Sequence, residues 1–345
     1  MTKEIRAKPL NMLIKIERAF RVHDCHISGR SRLLAAMDAY KPDWLSISGA
    51  SHQTSSNTQS FWGNKSNGKH AAFLALSIFC SNIPGLASAQ GSCNATGAND
   101  TPSRVFQDKL PGDGLGPVMI AIKPGSFVMG DRQNVGKSYE KPVHEVTIGH
   151  CLSLGKYPVT FAEYDRFTAA TGKPLVGDYN WGRDNRPVIN VNLSDAQEYT
   201  QWLSHQTGHK YRLPSEAERE YAARAGTPSI YPWGDEIGRG NAHCKGCDIT
   251  PNKKMTAPVG QLPPNPWGLH DMHGNIWELT ADCWNYTYDN APTDGSAWRS
   301  GDCTRSVLRG GSWGDIPGDL RSSTRLRSYS GTRTIVIGFR VVRED

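Results

Sequence analysis

The sequence predicts an α+β domain over residues 115–345, with two main helices, an irregular twisted sheet and much coil. Apolar residues recur at helical spacing in 194–207 and again in 215–225, which indicates two amphipathic helices. Short segments before them alternate apolar and polar residues, as strands do. After Gly226 the chain has no long periodic segment, and six of its ten tryptophans lie there. Large aromatic side chains are therefore expected to form much of the core in that part.

The first strands are predicted directly after the start of the domain near Pro117. Apolar residues alternate over 118–122, and the Pro-Gly pair at 124–125 turns the chain. Residues 127–129 are expected to form the partner strand, and 143–148 to form another short strand.

The helix boundaries follow from capping residues. Thr160 is a plausible N-cap for a first helix over 161–171. Ser194 is expected to cap the next helix, and Gly208 to end it. Ser215 and Glu218 form an S-x-x-E capping box for the last helix, which Gly226 is expected to stop.

The composition is ordinary for a soluble globular protein, with 21% charged and 37% hydrophobic residues. The formal net charge of +6 is spread along the chain, without a Lys/Arg run, a helix-turn-helix pattern or zinc-finger spacing, so no nucleic-acid partner is predicted. Eight cysteines are many for a reduced cytosolic protein without a metal site. They fit an oxidising compartment better.

The region before the domain contains an export signal in an unusual place. Residues 65–89 carry two lysines, the apolar run AAFLALSIFC and a small-x-small cleavage site, as a secretory signal peptide does. The apolar run is too short to span a membrane, so no membrane span is expected in the mature protein. The alternative is a buried helix of a small N-terminal domain. Residues 1–64 are predicted to be a disordered or mis-assigned leader, and 90–114 a polar linker.

Nine motifs follow one another along the domain, and their order resembles the formylglycine-generating enzyme (sulfatase-modifying factor) family. The resemblance implies a fold like that of C-type lectins, which agrees with the α+β class predicted above. The motifs are GSFVMGD, EKPVHEV, GKYPVTFAEY, YRLPSEAEREYAARAG, PWGDE, TAPVG, PNPWGLHDMHGNIWELTADCW, LRGGSW and GFRVVR.

The same resemblance places the family's catalytic cysteines just after GGSW. Enzymes of this family oxidise a sulfatase cysteine to formylglycine with oxygen and copper. In this chain the first cysteine position falls on Asp315 and the second on Leu320 or next to it. Copper(I) is soft and binds paired thiolates, which a carboxylate and an aliphatic side chain cannot replace. Copper and the oxidase activity are therefore not expected, and Cys303 is the nearest cysteine in sequence.

The calcium sites of the family are better matched. Asp271 and Glu278 correspond to side-chain ligands, and Gly274 and Ile276 to backbone carbonyl ligands, so the resemblance implies structural Ca²⁺. Asn241 resembles part of a second site. The alternative is that Asp271 only caps a turn and Glu278 pairs with an arginine.

The cysteines of the domain allow several pairings. Cys244–Cys247 is a C-x-x-C, which fits a local disulfide, a metal site with His243, or a redox-active pair. Cys283 and Cys303 flank the loop before GGSW and are predicted to pair. Cys151 is expected to be a buried thiol.

The tail after GGSW resembles the variable proteins of diversity-generating retroelements, which display mutable residues on this fold. Residues 314–337 contain no Lys, Glu, Gln, Met or Trp, the types that adenine mutation cannot produce from an Asn codon. The resemblance implies an exported binding domain for an unknown protein or small molecule. The alternative is an active oxidoreductase that converts a sulfatase cysteine to formylglycine, or a related enzyme on the same fold. The predicted ligand-binding residues are Trp313, Gly314, Asp315, Ile316, Asp319, Thr324, Tyr329, Thr334, Ile335 and Val336.

Overall fold

A computed structural model of the chain describes residues 104–247 and 254–345. The predicted leader, the signal-peptide-like segment and the linker as far as residue 103 lie outside the described residues. Within the described ranges, no helix has the length and apolar character needed to cross a bilayer.

The described part of the domain begins before residue 115. Strands β1 (Val105–Phe106), β2 (Lys109–Leu110) and β3 (Gly114–Leu115) lie in the segment predicted to be linker. β1 pairs with the strand at 119–122, and the Tyr211 hydroxyl donates to Asp108 at 2.6 Å. Residues 105–114 therefore belong to the domain, and the linker prediction is wrong for them.

Two sheets form the framework of the domain. The first has five strands in the order β1-β4-β7-β13-β8, and the second has four in the order β11-β10-β9-β12. All pairs are antiparallel except β12 with β9. The strands not yet given are β4 (Met119–Ile122), β5 (Gly125–Met129), β6 (His144–Ile148), β7 (Leu152–Gly155), β8 (Tyr211–Arg212), β9 (Trp277–Trp284), β10 (Asp302–Arg309), β11 (Arg325–Tyr329), β12 (Ile337–Phe339) and β13 (Val342–Glu344).

The predicted pairing of the strands at 118–122 and 127–129 is wrong. β4 lies between β1 and β7 in the larger sheet, while β5 pairs with β6 in a separate two-stranded sheet. Three of the four β4 residues are buried, so β4 needs a partner on both edges and cover on both faces. The turn at 124–125 therefore takes the chain from one sheet into another.

Three helices pack on this framework: α1 (Phe161–Thr171), α2 (Leu193–Thr207) and α3 (Glu216–Arg224). The Thr160 N-cap, the Ser215 capping box and the Gly208 terminus are confirmed. The N-cap of α2 is Asn192 instead of Ser194, because the Asn192 side chain accepts the Asp195 N–H at 3.0 Å.

The core combines aromatic packing with buried charge. The rings of Tyr199 and Phe339 lie 5.4 Å apart in the larger apolar cluster, between α2 and β12. All nine residues of α3 are buried, although five of them are Glu or Arg. Four buried glutamates are tolerated because arginine matches them: Glu140 pairs with Arg321, Glu216 with Arg325, Glu220 with Arg224 and Arg309, and Glu278 with Arg219 and Arg340.

Asp282 is a buried carboxyl without an arginine of its own, and it predicts a pH dependence. Burial, reinforced by the charge of Glu216, raises the pKa of Asp282 to about 7. The folded state then holds this proton more tightly than the unfolded chain, so its contribution to stability is present at acidic pH and is lost as the pH rises from about 4 to about 7. Asp282→Asn removes this titration.

We expect wild type to lose free energy of unfolding relative to Asp282→Asn between pH 5 and pH 8, as measured by urea unfolding in both buffers. Comparing the two proteins at each pH cancels the contribution of His273 to the pH dependence, since both proteins contain it. Burial lowers the pKa of His273 to about 4. A difference that stays constant with pH would show that Asp282 is not protonated in the folded state at pH 5.

Candidate functional site

The segment after GGSW is fixed by its first acidic residue. One carboxylate oxygen of Asp315, Oδ2, accepts three hydrogen bonds: from the Trp277 indole at 2.8 Å, from the Ser312 amide at 3.0 Å and from the Ser312 hydroxyl at 2.5 Å. Burial raises the pKa of Asp315, and these bonds act against that rise. Among the described residues, Oδ1 has no hydrogen-bond donor, so it can accept one from a ligand.

A row of aromatic side chains lies next to this carboxylate. Trp313 is half-buried, its amide donates to the Asn275 carbonyl at 3.0 Å, and its ring meets Trp181 edge-to-face at 5.6 Å. Trp181 in turn lies 5.8 Å from the exposed ring of Tyr179. We call Tyr179, Trp181 and Trp313 the aromatic row.

The C-x-x-C segment lies directly beneath this surface. The Lys245 amide donates to the Asp315 backbone carbonyl at 2.8 Å. Cys244 and Cys247 pack with Leu320 in a small apolar cluster, and the carbonyl of Leu320 is bonded to His273 at 2.7 Å. The segment 315–320 therefore rests on a disulfide-braced support.

A family model for the sulfatase-modifying factor enzyme 1-like domain matches residues 108–345. The chain belongs to the sulfatase-modifying factor family. The domain is 31% identical over 248 residues to the serine/threonine-protein kinase pkn1 of Chlamydia caviae, with 65% of this chain and 38% of the kinase covered. It is 28% identical over 226 residues to the formylglycine-generating enzyme of Mycobacterium tuberculosis, with 47% of this chain and 73% of that enzyme covered.

A solved structure shows the same fold. PvdO from Pseudomonas aeruginosa superposes with a TM-score of 0.65 and 36% identity, covering 72% of this chain and all of PvdO. The α+β fold predicted from the motifs is confirmed. The chain spans about two fifths of the length of the Chlamydia kinases that it matches (38%).

The sulfatase-modifying factor domain contains the predicted Cys283–Cys303 disulfide and, at the C-x-x-C, the local disulfide that was one of three alternatives. Cys244 joins Cys247 with Cα atoms 5.2 Å apart, and Cys283 joins Cys303 with Cα atoms 4.4 Å apart. Cys303 therefore has no free thiol and does not take the place of the cysteine that the family has at position 315. Cys151 is half-buried and disulfide-bonded, so the prediction of a free buried thiol is wrong.

The predicted ligand-binding residues divide into those that meet at the aromatic row and those that do not. Trp313 bonds through its indole to the Ile335 carbonyl at 3.4 Å, so Gly314, Asp315 and Ile335 lie together there. Thr334 and Val336 flank Ile335 just before β12. The Val336 carbonyl accepts a hydrogen bond from the Trp277 amide, and the Thr334 carbonyl accepts one from the Asn190 amide.

The remaining positions behave differently. Ile316 is 55% exposed, and Asp319 is half-buried in the short helical turn Pro317–Asp319. Tyr329 is exposed and packs with Arg305 at the far end of β11. Thr324 is buried, and Ile335 and Val336 are half-buried against the core, so these three are poorly exposed to a ligand.

The residues predicted to bind calcium are occupied by protein groups. Glu278 accepts hydrogen bonds from Arg219 and Arg340 on both of its oxygens. Asp271 accepts the Gly260 amide at 2.7 Å, and burial raises the pKa of Asp271 to about 6. Two guanidinium groups already supply the positive charge that a calcium ion would bring.

The backbone ligands fit no better. The Gly274 carbonyl accepts the Ile276 amide at 2.9 Å, and Asn241 donates to the Ile237 carbonyl at 3.1 Å. In the described ranges, no three His, Cys, Asp or Glu side chains are grouped so that they could hold a metal ion. The arrangement matches the alternative in which Glu278 pairs with arginine.

Two residues of the aromatic row, Tyr179 and Trp181, were not identified by the sequence analysis. They lie in the loop between α1 and α2, more than a hundred residues before Asp315. The Tyr-x-Trp spacing at 179–181 is the one local signal that could have pointed to them, since exposed aromatic residues in a loop favour binding.

Proposed function

We propose that this chain is an exported member of the sulfatase-modifying factor family that binds a ligand at the aromatic row and Asp315 and does not oxidise cysteine. The observation that carries the proposal is the chemistry at residues 315 and 320, where the family resemblance places two thiolates. Asp315 is a hydrogen-bonded carboxylate, and Leu320 is fully buried.

Copper chemistry has no thiolate pair to support it at this place. Copper(I) needs soft ligands, and the sequence contains no cysteine after Cys303. The cysteines packed nearest to Leu320 are Cys244 and Cys247, which are joined in a disulfide. A disulfide offers no thiolate, so the segment is equipped for binding rather than for oxidation.

Export is supported by the cysteine chemistry. Cys244–Cys247 and Cys283–Cys303 are disulfides, and Cys151 is disulfide-bonded as well. Disulfides persist in oxidising compartments and are rare in the cytosol. The signal-peptide-like segment at 65–89 agrees with such a location.

Ligand binding is supported by the composition of the surface. Tyr179 is 54% exposed, and Trp181 and Trp313 are partly exposed, which is typical of rigid aromatic anchors at binding sites. Asp315 Oδ1 adds an acceptor of fixed position. Exposed Ile316 extends the apolar part of the surface.

A peptide oxidation assay tests the proposal. We expect the chain, supplied with copper(I) and oxygen, to leave the thiol of a Cys-x-Pro-x-Arg peptide intact, as measured by mass spectrometry. The double variant Asp315→Cys/Leu320→Cys is the matched control for copper, and we expect it alone to compete with a chromogenic copper(I) chelator. Copper-dependent loss of the peptide thiol with wild type would overturn the proposal, and its disappearance in Cys244→Ser/Cys247→Ser would locate the responsible thiols.

Sequence diversification would be a special case of this function. Ile316 and Asp319 lie on the same segment as Asp315, as a varied binding face requires, whereas Thr324 is buried and does not fit. A near-copy of the codons for 308–340 with Asn codons at these places, beside a reverse transcriptase gene, would identify the surface as a diversified one.

A further inference from the structure

Arg186 is a half-buried arginine without an acidic partner in the described part of the chain. One of its Nη atoms donates to the Thr256 backbone carbonyl, and no carboxylate of the described residues lies within ion-pair distance. Burial lowers the pKa of Arg186, because no negative charge offsets the loss of water. Its neighbour Arg183, by contrast, is bonded to Asp165 through both Nε and Nη2.

The Arg186 side chain approaches the loop that carries Tyr179 and Trp181. Its Nε is 3.8 Å from the place where a Cβ on Gly182 would stand, so the side chain packs over the residue that follows Trp181. Trp181 contacts Trp313, which precedes Asp315 by two residues. Arg186 therefore lies near the residue after Trp181, while Asp315 follows Trp313 along the chain, so the two charges are associated with different members of the aromatic row.

Two buried polar atoms without partners lie next to Arg186. The hydroxyl of Thr256 and Nδ1 of His243 are buried without a hydrogen bond, in side chains only 1% and 7% exposed. Thr256 is the residue whose carbonyl Arg186 contacts, and His243 is bonded to the carbonyl of the preceding residue, Met255. Buried polar groups are nearly always paired, so unpaired ones next to a lone cation indicate a missing partner.

We propose that Arg186 receives an anionic group, a carboxylate or a phosphate, of a ligand whose flat apolar part lies on Trp181 and Trp313. This inference rests on the proposed ligand-binding function and names the chemical class of the ligand. A guanidinium binds the two oxygens of such a group through parallel N–H donors. The Asp315 carboxylate repels an anion, so the ligand is oriented with its anionic end at Arg186 and a donor group at Asp315.

Three probes with one ring system test this assignment: 2-naphthoate, 2-naphthylmethylammonium and 2-naphthylmethanol. Binding is followed by the NMR shifts of the tryptophan indole N–H signals of the full chain. We expect wild type to bind naphthoate more tightly than the alcohol. Arg186→Met should weaken naphthoate by about tenfold or more, in line with the loss of a charge-assisted hydrogen bond, and should not weaken the ammonium probe.

The controls separate failure of the inference from failure of the proposed function. Arg333→Met removes an exposed arginine that is bonded to Asp195, and we expect no change in naphthoate binding. Trp313→Ala should weaken all three probes. If Arg186→Met binds naphthoate as wild type does, the inference is overturned while the binding surface stands. If no probe moves the indole signals of wild type, the proposed binding surface fails and the inference fails with it.

Discussion

Replacing Glu278 with glutamine is expected to lower the free energy of unfolding by about 3–5 kcal/mol. The carboxylate lies between two fully buried arginines, with Arg219 Nε at 2.8 Å and Arg340 Nη2 at 3.0 Å. Burial opposes ionisation, but these two cations outweigh it and lower the pKa of Glu278 to about 2. Glutamine keeps the shape of the side chain and leaves two buried guanidinium groups without a counter-charge.

The matched control is Glu198→Gln, the same change at a partly exposed ion pair. Glu198 contacts Lys173 on the surface, where solvent screens the pair, and we expect a loss below about 1 kcal/mol. Urea unfolding of the three proteins at pH 7 measures both values. Equal losses in the two variants would show that the buried pair is no more important than a surface one.

The same carboxylate fixes the sign of a pH effect. A folded-state pKa of about 2, below the ordinary value of 4.5, contributes stability that is present above pH 4.5 and is lost as the pH falls toward 2. Glu278→Gln should therefore differ most from wild type at neutral pH and least near pH 2. The pH dependence expected for Asp282 has the opposite sign, because Glu278 is buried with two arginine partners and Asp282 is buried without one.

Glu278 also shows where the sequence is insufficient. The motif HDMHGNIWE marks a carboxylate in a turn-rich segment, which fits calcium as well as arginine. Whether the carboxylate pairs with arginine depends on Arg219 and Arg340, which lie 59 and 62 residues away in sequence. No local pattern reports such a contact, so a buried ion pair and a metal site cannot be told apart from residue types alone.

The secondary structure was predictable where periodicity and capping act locally. Thr160 and Ser215 cap α1 and α3 as their sequence neighbours dictate. Strands β9 and β10 were missed as long elements, although each has eight residues. β9 is central in its sheet and six of its eight residues are buried, so the alternation that indicates a half-exposed strand is absent from it.

Only the part of the candidate site that follows the GGSW motif could be predicted from the sequence. Trp313 and Asp315 follow a motif that could be recognised, and the structure places them together. Tyr179 and Trp181 come from a loop before α2 and reach the site through tertiary packing. Their roles depend on contacts across the fold, which a single sequence does not encode in any short pattern.

Replacing Gly274 with alanine is the second change for which we expect a large effect. Gly274 has a φ of +92°, and an added Cβ would lie 2.3 Å from the carbonyl oxygen of His243. That backbone belongs to the segment that supports Asp315, and the Asn275 amide donates to the same carbonyl at 2.9 Å. The left-handed backbone costs an alanine about 1–2 kcal/mol and the steric overlap about 1–3 kcal/mol more.

Gly172→Ala is the matched control, because Gly172 has a φ of +70° with nothing within 4 Å of the added Cβ. We expect it to cost only the backbone part, about 1–2 kcal/mol, in the same urea unfolding experiment. Similar losses in the two variants would show that the close packing of the His243 carbonyl against Gly274 does not contribute to stability.

Gly274→Ala also separates two explanations of why residue 274 is a glycine. Alanine retains the carbonyl that a calcium ion would bind, so added Ca²⁺ should restore Gly274→Ala if the residue serves a metal site. If the glycine is required for close backbone packing, Ca²⁺ should have no effect, and the naphthoate probe should bind more weakly because Trp313, whose amide donates to the Asn275 carbonyl, has moved.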